Sequence, residues 1–238
     1  MTMAKLELSE VLSPNHDERP AGQPIDILLL HYTGMKGAQA AIDRLVDPKA
    51  KVSAHYLIEE DGTPWRLVAE ERRAWHAGVS YWEGSRDINA RSIGIELVNP
   101  GHEFGYRPFP PAQMDSLEAL ALEILARHPI TPRHVLGHSD VAPPRKQDPG
   151  ELFDWAGLAR HGIGLWPRAS ATPRSWSVAE FQSGLGRFGY EVPTHGQLDE
   201  ATKTVLIAFQ RHFRPSRFDG APDDECAGIL ADLLDQIG

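Results

Sequence analysis

Residues 25–32 read IDILLLHY, a short and nearly continuous apolar run ending in a histidine and a tyrosine. Such a run does not alternate between water and core, so it reads as a strand covered on both faces. A strand covered on both faces needs helices around its sheet, and the following segments supply them. Residues 37–46 place Ala38, Ala41, Ile42 and Leu45 at helical spacing, and Pro48 supports a stop. Residues 52–59 and 64–68 flank Asp61-Gly62, a hairpin signal. Residues 92–98 (SIGIELV) form another strand pattern, with Ile93, Ile95 and Leu97 on one face. Residues 111–127 give the clearest helix: Met114, Leu117, Leu120, Ala121, Ile124 and Leu125 make one stripe, and a proline opens it. A last short strand is expected at 134–138 and a short helix at 151–160. Strands mixed with helices in this order predict an α/β layer, a mostly buried sheet with helices packed on it.

The pattern then changes. Residues 166–176 (WPRASATPRSW) hold two prolines among small polar residues and read as a linker. Beyond it only helices are expected, near 177–188, 199–213 and 223–237. Ala201, Val205, Ala208 and Phe209 give the middle one its core face. The expected organisation is therefore a catalytic-sized domain over residues 1–167 and a small three-helix domain over 177–238, within the usual range for a 238-residue chain.

Bulk properties remove several functional classes. The formal net charge of −9 repels phosphate backbones and argues against nucleic-acid binding. A single cysteine, Cys226, excludes an internal disulfide and a four-cysteine zinc site. Apolar runs such as that at 27–30 are far too short to span a bilayer. Residues 1–19 interleave Leu6, Leu8, Val11 and Leu12 with Lys5, Glu7, Glu10 and Asp17, which is no secretory leader. The expected compartment is the cytoplasm. A chain whose leader had been removed would read identically and would belong to the periplasm.

Three metal-ligand types stand out. His31 ends the first buried strand, His138 ends the last strand, and Asp148 follows in the loop 143–150. Zinc accepts imidazole nitrogen and carboxylate oxygen, and catalytic sites use three protein ligands. Each residue alone also has an ordinary reading: a core histidine, or a turn aspartate before Pro-Gly. Glu96 lies in SIGIELV, opposite in phase to Ile95 and Leu97, where it is either a solvent-facing residue or a general base. Lys146 is either a surface charge or a group beside a developing oxyanion.

The strings LLLHYTG, VSAHYLIEEDG, RRAWHAGVS, NARSIGIELVNPG and VLGHSDVAPPRKQDPG decide among these readings. Together, and in this order, they resemble the zinc-dependent N-acetylmuramoyl-L-alanine amidases of the type 2 family, over about residues 25–166. The resemblance implies a mixed central sheet flanked by helices. It implies one zinc ion per chain held by His31, His138 and Asp148, with Glu96 as catalytic glutamate and Lys146 as transition-state lysine. Trp75 and His76 match a substrate-facing loop, with Asn89 nearby. His55 is assigned to the core or to a position behind the ligands, and His16, His102, His161, His195 and His212 are expected to be inert. The branch with cysteine in place of the aspartate is excluded by Asp148. Residues 196–215 (GQLDEATKTVLIAFQRHFRP) resemble the three-helix peptidoglycan-binding module found beside many wall hydrolases.

The expected reaction is hydrolysis of the amide between N-acetylmuramic acid, or its 1,6-anhydro form, and L-alanine. The expected partners are peptidoglycan or muropeptides; neither a protein partner nor nucleic acid is implied. Two other readings compete with this one. A glycosidase would use Glu96 with Asp87 or Asp140 and no metal. A non-catalytic muropeptide-binding protein would be expected to lack a ligand, whereas all three are present. If the tail only tethers the enzyme to polymer, a chain ending near Pro167 should keep its rate on soluble muropeptide.

Overall fold

The structure, a computed structural model, describes residues 6–238. Residues 1–5, which include Lys5 of the N-terminal segment discussed above, lie outside the described residues. The chain packs as two compact units. One runs to Gly78 and resumes over Asn89–Val135; the other combines Val79–Ile88 with Leu136–Gly238.

Among the described residues there are eight strands: β1 (Ser9–Glu10), β2 (His16–Glu18), β3 (Ile27–Tyr32), β4 (Tyr56–Ile58), β5 (Pro64–Arg66), β6 (Arg72–Ala74), β7 (Ser92–Leu97) and β8 (Val135–Gly137). Six form one mixed sheet in the order β1-β5-β4-β7-β3-β8, and β2 pairs with β6 separately. The apolar run becomes β3, and Ile27, Leu28, Leu29 and Leu30 are fully buried. It lies parallel to β7, with Leu28 opposite Ile93 and His31 opposite Glu96. On the other side β7 pairs in parallel with β4, which joins β5 as the expected antiparallel hairpin. Gly62 in that turn has φ 92°, and a Cβ there would stand 2.6 Å from the Ala112 carbonyl oxygen, so both the turn and the close approach require glycine.

The helices of this unit follow from their apolar faces. α1 (Ala38–Val46) buries Ala41, Ile42 and Leu45 against Leu57, Leu67 and Val98. After two short helices, α2 (Ile88–Arg91) and α3 (Gly101–Phe104), comes α4 (Pro111–Arg127), with proline in its first turn. Its buried stripe is Gln113, Leu117, Leu120, Ala121 and Ile124, while Met114 and Leu125 are only half-buried. Gln113 takes a core position because its Nε2 donates to the carbonyls of Ile58 (2.9 Å) and Val98 (3.1 Å), satisfying groups at the end of two strands.

In the second unit, the expected strand at 134–138 ends one residue early. His138 opens a short helix, α5 (His138–Val141), because the Asp140 carboxylate accepts the Gly137 N–H and turns the chain. α6 (Trp155–Arg160) is capped by Asp154. The three C-terminal helices are α7 (Val178–Phe188), α8 (Glu200–Phe213) and α9 (Asp224–Ile237), capped by Ser177, Asp199 and Asp223. Their core is Phe181, Leu185, Phe188, Leu206, Phe209, Phe213, Leu230 and Leu233; Ala201, expected inside, is exposed. Trp82 is fully buried in the same unit, its ring 5.0 Å from Tyr190 and 6.0 Å from Phe188. Residues 166–176 have no regular structure but are pinned to α9. The Arg168 backbone N–H and Nε donate to Asp232, and Gln236 donates to the Trp166 carbonyl. A segment held this way is not a free coil. Among the described residues no helix is long and apolar enough to cross a membrane.

Candidate metal centre

His31, the fifth residue of β3, is 1% exposed. Its Nε2 stands 3.0 Å from Nδ1 of His76, and the two rings meet edge to face. His76 is held in turn. Its Nε2 is 3.3 Å from Ser92 Oγ, and Asn89 Oδ1 accepts the backbone N–H of both His76 and Ala77. The ring lies across Gly94 of β7, where a Cβ would stand 2.5 Å from His76 Nδ1. Glycine at 94 therefore leaves the room the ring occupies.

His138 and Asp148 are also buried, and His138 Nδ1 is 3.0 Å from Asp148 Oδ2. Two further links fix this pair. The Ser139 N–H donates to the Asp148 carbonyl at 2.9 Å, and a Cβ on Gly137 would stand 2.7 Å from Pro149 Cδ. His31, His138 and Asp148 each offer one ligand atom, and these atoms lie within 4.8 Å of one another. The donor set and spacing fit zinc. Ligands about 2.0–2.1 Å from a tetrahedral ion stand roughly 3.3 Å apart, close to the separation of His138 and Asp148. The contact between His31 Nε2 and His76 Nδ1 holds the ring orientation, as an outer partner of a metal-ligating imidazole would.

Glu96 is half-buried on β7, in register with His31 on one side and Leu57 on the other. Residues paired across neighbouring strands present side chains to the same face, so Glu96 shares the face of His31. Lys146 is half-buried in the loop leading to Asp148, its backbone N–H bound to the Ala142 carbonyl.

The other expected residues separate. His76 belongs to the cluster. Asn89 is 7% exposed, and its side-chain oxygen holds the loop backbone. Trp75 donates its indole N–H to Asp17 at 2.7 Å and lies under Lys51. His55 is fully buried and accepts the Gly94 N–H on Nδ1, which places its own proton on Nε2, 3.1 Å from the Arg72 carbonyl. Burial first, and then the neighbouring Arg19 charge, push its pKa down to about 3. Sequence reasoning missed His212. It is 2% exposed, and its Nδ1 lies 2.8 Å from Asp140. Asp140 is equally buried and fully engaged, so it is not available as a glycosidase carboxylate.

A family model described as N-acetylmuramoyl-L-alanine amidase matches residues 21–151, and one described as putative peptidoglycan binding domain matches residues 174–230. N-acetylmuramoyl-L-alanine amidase AmiD of Escherichia coli is 39% identical over 237 residues, covering 90% of this chain and 84% of that protein. The 1,6-anhydro-N-acetylmuramyl-L-alanine amidase AmpD of Haemophilus influenzae is 38% identical over 164 residues, 61% of this chain and 87% of its own. A solved complex of E. coli AmiD with the substrate anhydro-N-acetylmuramic acid-L-Ala-D-gamma-Glu-L-Lys has a TM-score of 0.83 to this structure, at 37% identity and 93% coverage of both chains. With the matched family model spanning more than half of its length and its fold shared throughout, the chain belongs to the N-acetylmuramoyl-L-alanine amidase family.

Proposed function

We propose that the chain is a zinc-dependent hydrolase of the amide bond between N-acetylmuramic acid, or its 1,6-anhydro form, and L-alanine. The observation that carries this is the gathering of His31, His138 and Asp148 within 4.8 Å, with Glu96 paired to His31 across two strands. One zinc ion per chain held by those three residues would polarise a carbonyl oxygen and lower the pKa of a water toward about 7.

The chain's own residues do the rest. The His76 ring, whose Nδ1 stands 3.0 Å from His31 Nε2, fixes the orientation of the His31 imidazole. Glu96 takes the proton from the attacking water and passes it to the departing alanine nitrogen. The Lys146 ammonium steadies the negative charge that develops on the carbonyl oxygen. Trp75 and His76 border the substrate, and Asn89 acts by holding their loop. Residues 1–167 carry the chemistry, and residues 177–238 hold peptidoglycan or muropeptides, a role supported by the match over 174–230.

The test is mass spectrometry of products from intact sacculi and from anhydro-muropeptides, before and after chelation. The reading expects free stem peptides beginning with L-alanine, lost on chelation and restored by zinc. Cleavage between sugars, or chelator-resistant hydrolysis, would overturn it.

A further inference from the structure

The turn carrying His138 is short. α5 has only four residues, and a single helical turn does not hold its own geometry in water. What holds it is Asp140, two residues beyond His138. Its side chain is inaccessible to solvent and accepts three hydrogen bonds. One is local: the Gly137 N–H donates to Oδ2 at 2.7 Å. The other two come from the C-terminal helical segment. The Tyr190 hydroxyl, just past α7, donates to Oδ1 at 2.6 Å, and His212 Nδ1 of α8 donates to Oδ2 at 2.8 Å.

Both donors are themselves confined. Tyr190 is 2% exposed, and its ring lies 5.0 Å from that of Trp82. The His212 ring stacks on Trp155 with centroids 3.8 Å apart and planes 18° from parallel. The edge of Trp155 closes on Gly137, 3.3 Å from where a Cβ would be. A buried carboxylate must be satisfied by donors. Here two of its three are supplied from within the 174–230 match, 50 and 72 residues away along the chain.

We infer that Tyr190 and His212 are positioning residues of the metal centre: acting through Asp140, they hold the turn that presents His138. The helical segment is then a working part of the hydrolytic site as well as a carrier of wall affinity. This rests on His138 being a metal ligand.

The full-length chain tests it. Zinc affinity is measured by competition with a chromophoric chelator, and the urea midpoint of the metal-free protein serves as the control for folding. Tyr190→Phe removes one donor. His212→Phe removes the other while keeping the stack on Trp155, and His212→Asn returns an N–H close to the position of Nδ1. Tyr190→Phe and His212→Phe should weaken zinc binding by roughly tenfold or more, the range usual for residues that orient ligands. His212→Asn should recover most of the loss, and kcat should fall with little change in KM. Zinc affinity within twofold of wild type in Tyr190→Phe and His212→Phe would overturn the inference. So would a loss that His212→Asn fails to repair, or one matched in every variant by a fall in the urea midpoint. Wild-type protein that takes up no zinc would instead contradict the metal reading itself.

Discussion

Glu96 can serve as a base only from the face that carries His31, and its pairing with His31 across β3 and β7 meets that condition. Glu96→Gln keeps the shape and removes the basicity. It should retain zinc and substrate affinity while kcat drops by roughly a hundredfold or more. Near wild-type turnover in single-turnover assays would assign the proton to another group. Lys146→Ala should lower kcat more than it changes KM, since a group felt mainly by the developing oxyanion contributes little to ground-state binding. The family resemblance puts His76 in a loop with Asn89 nearby, but it does not give their contacts. His76 touches His31, whereas Asn89 binds the loop backbone, a distinction that depends on which way each side chain turns.

At the scale of elements, β3, β7 and α4 were legible because each carries an apolar pattern that only one packing satisfies. The short strands β1, β2 and β6 were not, because their sequences are SE, HDE and RRA. What holds β2 to β6 is pairing plus charge, with Arg73 on Asp17 at 2.8 Å, and charge carries no strand period. The link between β7 and the segment before β4 is likewise a buried polar contact, from the Gly94 N–H to His55 Nδ1. Protonating His55 would set an N–H against that N–H. Its pKa of about 3 in the fold lies below its ordinary value of 6.5, so the unfolded chain binds the proton first. The stability it contributes is complete above pH 6.5 and falls as pH drops toward 3, by up to about 1.4 kcal/mol per pH unit. His55→Asn, whose side-chain oxygen can replace Nδ1 as acceptor, should flatten that slope. Urea unfolding of metal-free protein at pH 7 and pH 4.5 checks it, and an unchanged slope would mean that other groups govern the acid response.

At the scale of the whole molecule, the sequence predicts a hydrolase segment over residues 1–167 and a helical tail over 177–238; the matched family models cover residues 21–151 and 174–230, whereas the compact units divide differently, Leu136–Gly238 packing with Val79–Ile88. The helical tail was legible because the hydrophobic period changes and a proline-containing stretch intervenes. The dependence of Asp140 on Tyr190 and His212 was not, since nothing in a sequence joins residues this distant. A tether would leave soluble turnover intact after removal of the tail. Given the Asp140 contacts, a chain ending near Pro167 should instead lose at least tenfold on soluble anhydro-muropeptide as well as on sacculi, in line with the cost of losing groups that orient a metal ligand. Undiminished rates on the soluble substrate would restore the tether reading. The claim beneath all of this is that His31, His138 and Asp148 hold the metal that the reaction needs. Elemental analysis of purified wild-type and His31→Ala protein, with amide hydrolysis followed on the same samples, tests it most directly. The account predicts one zinc per chain and activity in the first, and neither in the second; a fully loaded, fully active His31→Ala protein would contradict it.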